Sequence, residues 1–132
     1  MPLATRIDVS PLLLDPPVKQ LFNDLHTAAN GAVNGVTAAV GSSQATGVAV
    51  TAAITRVTTV GTAGDALTLP KAAPGLQLVV INAAAANSMD VFPAVGDAIN
   101  ALSADAALAV AANKTVLLVC AVAGFWNAIV TA

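Results

Sequence analysis

Two spacings of hydrophobic positions run along this chain, and they change over near residue 45. From Val18 the apolar positions are Val18, Phe22, Leu25, Ala29, Ala32, Val36 and Ala39, at intervals alternating between four and three. That alternation lines one face of a helix and sustains a heptad seam. Asp15 followed by Pro16 supplies a start signal: a carboxylate that caps free backbone N–H groups, then a proline where no donor is needed. The pattern predicts a helix and linker over residues 18–45, running out into "GSSQATG" at 41–47. Gly31 and Gly35 each cost such a helix about 1 kcal/mol relative to alanine. It would be marginal alone and needs a neighbour. The neighbour is either the same helix of sister copies or the helix's own domain. In the first case Val18, Phe22, Leu25, Ala29, Ala32 and Val36 form the oligomer interface.

Beyond the linker the period becomes two. Val48, Val50, Ala52 and Ile54 alternate with small or polar residues, and threonine and valine dominate through Val60, which favours strand. "GTAG" turns the chain at 61–64. Further strands are expected at 66–69, 76–82, 89–92, 97–102, 107–110, 114–122 and 126–131, punctuated by Gly, Pro, Asn and Asp. Short strands at this spacing predict a mainly β domain over residues 46–132, a small antiparallel β-sandwich or barrel. Two of these segments, "LQLVVI" (76–81) and "TVLLVCAV" (115–122), are apolar on both faces. An antiparallel sheet usually turns one face to water. Both faces being apolar implies a core on one side and a neighbouring subunit on the other.

Ahead of the helix, residues 1–17 carry Pro2, Pro11, Pro16 and Pro17, which forbid a regular helix, together with Leu3, Ile7, Val9, Leu12, Leu13 and Leu14. An extended arm with apolar side chains cannot build its own core. It is expected to anchor on a partner through those six residues.

Composition sharpens the picture. Of 132 residues, 57% are apolar, but 31 are alanine and 18 valine; charged residues make up 9%, against about 25% in ordinary soluble domains. So few charges leave little with which to cover a surface, and large exposed apolar patches mark contacts with other proteins. Assembly is therefore expected. The net charge is −2 and the five basic residues are scattered, so the clustered positive footprint of a nucleic-acid partner is missing. The longest strongly apolar run, Val116 to Trp126, is eleven residues, short of the about 20 a membrane-spanning helix needs. "MPLATRIDVSPLLLDPP" has no proper apolar signal core. Neither a membrane partner nor export is expected.

The candidate chemistry is thin. His26, the only histidine, sits one position past a seam residue and is expected to be a helix-surface or intersubunit polar group. A catalytic base needs a nucleophile within reach, and no Gly-x-Ser-x-Gly element accompanies it. Cys120, the only cysteine, lies inside an apolar strand and reads as a small buried hydrophobe. Asp90, Asp97 and Asp105 lack the alternate-position spacing of a calcium loop. Their expected work is to accept hydrogen bonds from turn backbone. "GTAGDA" lacks the third glycine of a dinucleotide loop and the lysine of a P-loop. No catalytic residue, metal site or cofactor is expected. The densest stretch, "NSMDVFPAVGDAIN" (87–100), reads as a β corner, its strand ended by Pro93.

Taken in order, residues 65–132 resemble a small β module recurrent in virion proteins of tailed bacteriophages. The resemblance rests on Thr68-Leu69-Pro70, Gly75, Val79 to Asn82, Val91 to Pro93, Gly96 to Asn100, Val116 to Val119 and Trp126. Ala101 stands where a glycine commonly follows the Ile-Asn pair, and "AVAGF" replaces a usually polar hairpin. The resemblance implies a homotrimeric virion component. With the arm and the low charge, it leads to an expected non-enzymatic capsid decoration or cement protein on the head surface. Its partners would be sister copies and the major capsid protein or neighbouring virion proteins. The alternative is a short tail-fibre or receptor-binding component, which the lack of Tyr and the single Trp disfavour.

Overall fold

The computed structural model describes residues 31–132. Among them all regular structure is strand. The strands are β1 (Ala32–Thr37), β2 (Val48–Ala49), β3 (Ile54–Thr59), β4 (Asp65–Thr68), β5 (Gln77–Asn82), β6 (Met89–Phe92), β7 (Ala98–Ile99), β8 (Leu108–Val110), β9 (Thr115–Val122) and β10 (Phe125–Val130). They form two sheets. The larger has the order β1-β3-β5-β9-β10-β7 and the smaller the order β2-β4-β6-β8.

The first six strands alternate between the sheets, so the chain winds as a solenoid. Each strand is followed by one in the opposite sheet, and the next strand of the same sheet arrives pointing the same way. Hence β1, β3 and β5 pair in parallel, as do β2, β4 and β6. Apart from an isolated antiparallel bridge between Ala39 and Ala66, antiparallel pairing enters with β8 on β6, β9 on β5 and the β9–β10 hairpin. β10 then pairs in parallel with β7. The mainly β expectation is met, and its antiparallel form is corrected. Short strands separated by turn residues suit hairpins and inter-sheet coils equally. Only the destination of each connection separates the two, and that is not written in the period.

The helix expected within the helix-and-linker segment 18–45 is corrected where the structure describes it. Residues 32–37 are strand, so the seam residues Ala32 and Val36 lie on β1 beside β3. The cause is local. Val33, Val36 and Thr37 are β-branched and lose side-chain freedom in a helix. Gly35 adopts φ +81°, outside helical geometry, and the register against β3 shifts around it. Pairing with β3 satisfies the backbone that a marginal helix would have satisfied less well. Val18, Phe22, Leu25, Ala29 and the arm residues Leu3, Ile7, Val9, Leu12, Leu13 and Leu14 lie outside the described residues, as does His26.

Between the sheets lies one core. Val57, Val80, Val116, Leu118, Ile99 and Trp126 from the larger sheet meet Leu67, Met89, Val91 and Val110 from the smaller, all fully buried. Period two is plain in the burial: along β5, Leu78, Val80 and Asn82 point in while Gln77, Val79 and Ile81 point out. The predicted linker at 41–47 is instead a strap tied to the smaller sheet. Ala39 bridges Ala66, the Gln44 carbonyl accepts from Thr68 Oγ1 at 2.8 Å, the Gln44 amide donates to the Pro93 carbonyl at 2.7 Å, and the Ser42 hydroxyl donates to Asp90.

Gly47 is where the strap passes closest to β4. A Cβ there would meet Thr68 Oγ1 and would lie 2.9 Å from the Leu67 carbonyl carbon. Backbone cannot step aside as a flexible side chain can. Gly47→Ala is therefore expected to lower unfolding free energy by about 1–3 kcal/mol, as overpacking does. A chemical denaturation curve superposing on that of the parent would refute it.

Candidate interaction surface

The chemistry-bearing side chains of the described residues are engaged in architecture. Asp65 is buried and its two oxygens accept from Gly41 N at 3.1 Å and Thr62 N at 2.9 Å. Asp97, also buried, accepts from Ala72 N at 2.8 Å and pairs with the Lys71 ammonium. Asp105 accepts from Gly96 N at 2.7 Å and from the Gln44 amide at 3.1 Å. The Gly96 N–H, then Gln44, holds the Asp105 carboxyl below the ordinary aspartate range, since both favour the charged form. Turn chemistry thus describes Asp97 and Asp105. Asp90 differs: it lies within β6 and accepts from the Ser42 hydroxyl across the strap. Cys120 is buried, as its apolar strand implied. Among the described residues no three metal-ligating side chains cluster, and no helix is long and apolar enough to cross a membrane.

The stretch 87–100 is a corner between the sheets. β6 ends at Phe92, the chain turns through Pro93 to Asp97, and β7 begins at Ala98 in the other sheet. Asn87 and Asn100 both adopt positive φ, a region asparagine tolerates better than most residues. Asn87 donates to the Val60 and Gly61 carbonyls; Asn100 exchanges two hydrogen bonds with the Ala128 backbone. The return strand expected at 97–102 is only Ala98–Ile99, because it meets β10 edge-on instead of folding back on β6.

The outer face of the larger sheet is different in kind. Cross-strand register aligns Ala32 with Ile54, Ile54 with Val79, Val79 with Leu117, and Leu117 with Ile129. One apolar row therefore crosses five adjacent strands. Ile54 is 39% exposed, Leu117 43% and Ile129 70%. On one side the row is flanked by Gln77, Val119 and Asn127, on the other by Arg56, Ile81 and Thr115, again in register. Arg56 is held sideways by Asn34 Oδ1 at 3.0 Å. On the outer side of the smaller sheet Asp90 shares the face with Phe92, Ala109 and the hydrogen-bonded strap. Among the described residues β1 is the outermost strand on its side of the larger sheet, and the Gly35 bulge interrupts it, a feature that discourages strand addition.

The dual-faced hydrophobicity of residues 76–81 and 115–122 was the sequence signal for this surface; it located two strands of the row. Ile54, one of the alternating residues from Val48 on, joins the row through its register with Val79 on β5, and Ile129 joins through the β9–β10 hairpin. Comparison with known proteins adds no relative: no family model, curated protein or solved structure matches this chain.

Proposed function

We propose that this chain is a non-enzymatic structural protein of a tailed-bacteriophage virion, decorating or cementing the capsid as a homotrimer on the head surface. The observation that carries the reading is the apolar row of Ile54, Val79, Leu117 and Ile129 on a chain with only 9% charged residues. A sheet face of this kind is costly in water, at about 25 cal/mol per Å² of apolar surface, and is relieved when sister copies or a shell cover it. The order of short elements from Thr68 to Trp126, similar to a recurrent virion module, supplies the kind of assembly. Within that module the two sheets serve as the layers of a sandwich wound as a solenoid. The row makes the subunit contact, and the arm with Leu3, Ile7, Val9 and Leu12 to Leu14 docks on the shell.

The test is sedimentation of the purified chain, followed by binding to particles that lack it. A trimer at micromolar concentration that adds to heads is the expected result; a monomer that binds no particle would overturn the reading. Leu117→Lys with Ile129→Asp places two charges on the row, of opposite sign because the two positions face each other across β9 and β10. Because both positions are exposed in the single chain, the unfolding midpoint should shift little, while the trimer is expected to dissociate to single copies. Retention of the full oligomer mass by this variant would remove the row from the interface.

A further inference from the structure

Among the described residues one asparagine is followed by glycine: Asn34, with Gly35 after it on β1. An asparagine side chain can be attacked at Cγ by the backbone nitrogen of the next residue. Two restraints ordinarily oppose this in a folded chain. A Cβ on the next residue crowds the nitrogen, and a strand ladder holds the backbone away from the ring geometry.

Both restraints are relaxed here. Gly35 has no Cβ, and even an added one would meet no atom within 4 Å. The register passes from Asn34 opposite Arg56 to Val36 opposite Val57, so Gly35 has no partner residue on β3. Asn34 and Gly35 are both exposed to water. Arg56 adds a polarising group: its Nη1 donates to Asn34 Oδ1 at 3.0 Å. A guanidinium has only donors, so it holds the amide oxygen and not the nitrogen that has to leave. Positive charge on that oxygen draws electrons from Cγ and stabilises the oxyanion formed on attack. Other asparagines are held differently. Asn82, Asn87 and Asn100 donate from Nδ2 to backbone carbonyls, and Asn127 is in register with Val119 and is followed by alanine.

We propose that Asn34 is a self-modification site, converting to aspartate and isoaspartate through a cyclic imide with Gly35, assisted by Arg56. Hydroxide takes the Gly35 N–H proton as the bond from Gly35 N to Asn34 Cγ forms. The Cγ–Nδ2 bond breaks, water returns a proton to the departing nitrogen, and ammonia leaves. A water molecule then opens the ring. Opening at Cγ gives aspartate; opening at the Asn34 main-chain carbonyl gives isoaspartate and routes the backbone through Cβ. Either product adds one negative charge to a net −2. The new carboxylate lies beside Arg56, which is in register with Ile81 and Thr115 on the flank of the apolar row. The site is independent of what the protein is mounted on.

The experiment incubates the purified full-length chain at mildly alkaline pH in heavy-oxygen water. Each asparagine is then followed by peptide fragmentation in a mass spectrometer, where ring opening leaves a heavy oxygen on the converted residue. Asn30→Gln removes the neighbouring Asn-Gly pair, so that signal in the shared peptide belongs to Asn34. Asn34 is expected to convert at least about tenfold faster than Asn127, an exposed asparagine of the same sheet, a barrier difference of about 1.4 kcal/mol. Isoaspartate is expected among the products; aspartate alone would mean direct hydrolysis and overturn the imide. Arg56→Gln is expected to slow Asn34 several-fold in the folded chain and to leave its rate in urea unchanged. Equal folded rates with and without that substitution overturn the part given to Arg56. The incubation is repeated on the Leu117→Lys, Ile129→Asp variant, in which the proposed subunit contact is broken. Conversion at the expected rate in either protein supports the site, and Asn34 converting no faster than Asn127 in both overturns it.

Discussion

Trp126→Ala is expected to cost about 3–5 kcal/mol, the range for emptying a large aromatic site, and to be the most damaging single truncation in the described residues. Trp126 is the largest of the fully buried side chains, and it sits on β10 in the core between the sheets. Its neighbours across the core come from strands with their own hydrogen-bond ladders, so the space cannot collapse without breaking sheet register. Small domains hold about 5–15 kcal/mol in all, so the variant would retain little. With urea slopes of about 1–3 kcal/mol per molar, the midpoint should fall by more than about 1 M. The indole nitrogen adds a finer point: it is buried without a hydrogen-bond acceptor among the described residues. Phenylalanine keeps most of the ring and removes that orphaned donor. Trp126→Phe should therefore recover most of the loss. Equal damage from Phe and Ala would mean that the donor is satisfied after all, and an unshifted midpoint for Ala would dismiss the core described here.

Asp97 is the second sensitive point, and the effect should be lopsided within its pair. Its carboxylate is fully buried, whereas the Lys71 side chain is 67% exposed. Removing the acid leaves Ala72 N–H buried without its acceptor, a loss of about 1–3 kcal/mol for a group that water cannot reach. The same site joins three loops: Ala72 O accepts from Gly124 N at 3.0 Å, Gly124 O from Ala98 N at 3.1 Å, and Asp97 O from Asp105 N at 2.9 Å. Asp97→Ala is thus expected to fall at the upper end of that range and to accelerate amide exchange at Ala72, Ala98 and Gly124 together. Lys71→Ala should cost less than about 1 kcal/mol, because an exposed ammonium returns to water. Equal penalties for the two substitutions would show that the ion pair, not the backbone hydrogen bond, anchors the corner.

Several elements were legible before any fold was known. Met89–Phe92 lies between Asn87 and Pro93: proline cannot donate to the ladder, and asparagine favours turns without excluding strand. Residues 76–82 and 114–122 announced themselves by length and β-branching. Cys120 and the turn role of Asp97 and Asp105 followed from residue type and neighbours. Residues 32–37 went the other way. Apolar spacing at Ala32 and Val36 suits a helix face, and Gly35 looked like a weakness in that helix; it is the residue that lets β1 bulge against β3. An edge strand chosen by pairing with a distant segment leaves no local mark strong enough to overrule the seam. The apolar row was half visible: residues 76–81 and 115–122 carried it, while Ile54 and Ile129 joined only through register.

By itself, the sequence determined that this chain makes short strands, where most of them turn, and that only 9% of its residues carry charge. Those are properties of neighbouring residues: branching at Cβ, a fixed proline φ, the reach of an Asp side chain to the next backbone N–H. Only the tertiary structure decided which strands lie side by side, that most of them run parallel, and that Ile54, Val79, Leu117 and Ile129 share one row. Pairing partners are chosen by core packing and by closure of the inter-sheet coils, energies summed over residues scores of positions apart. No window of the chain contains them.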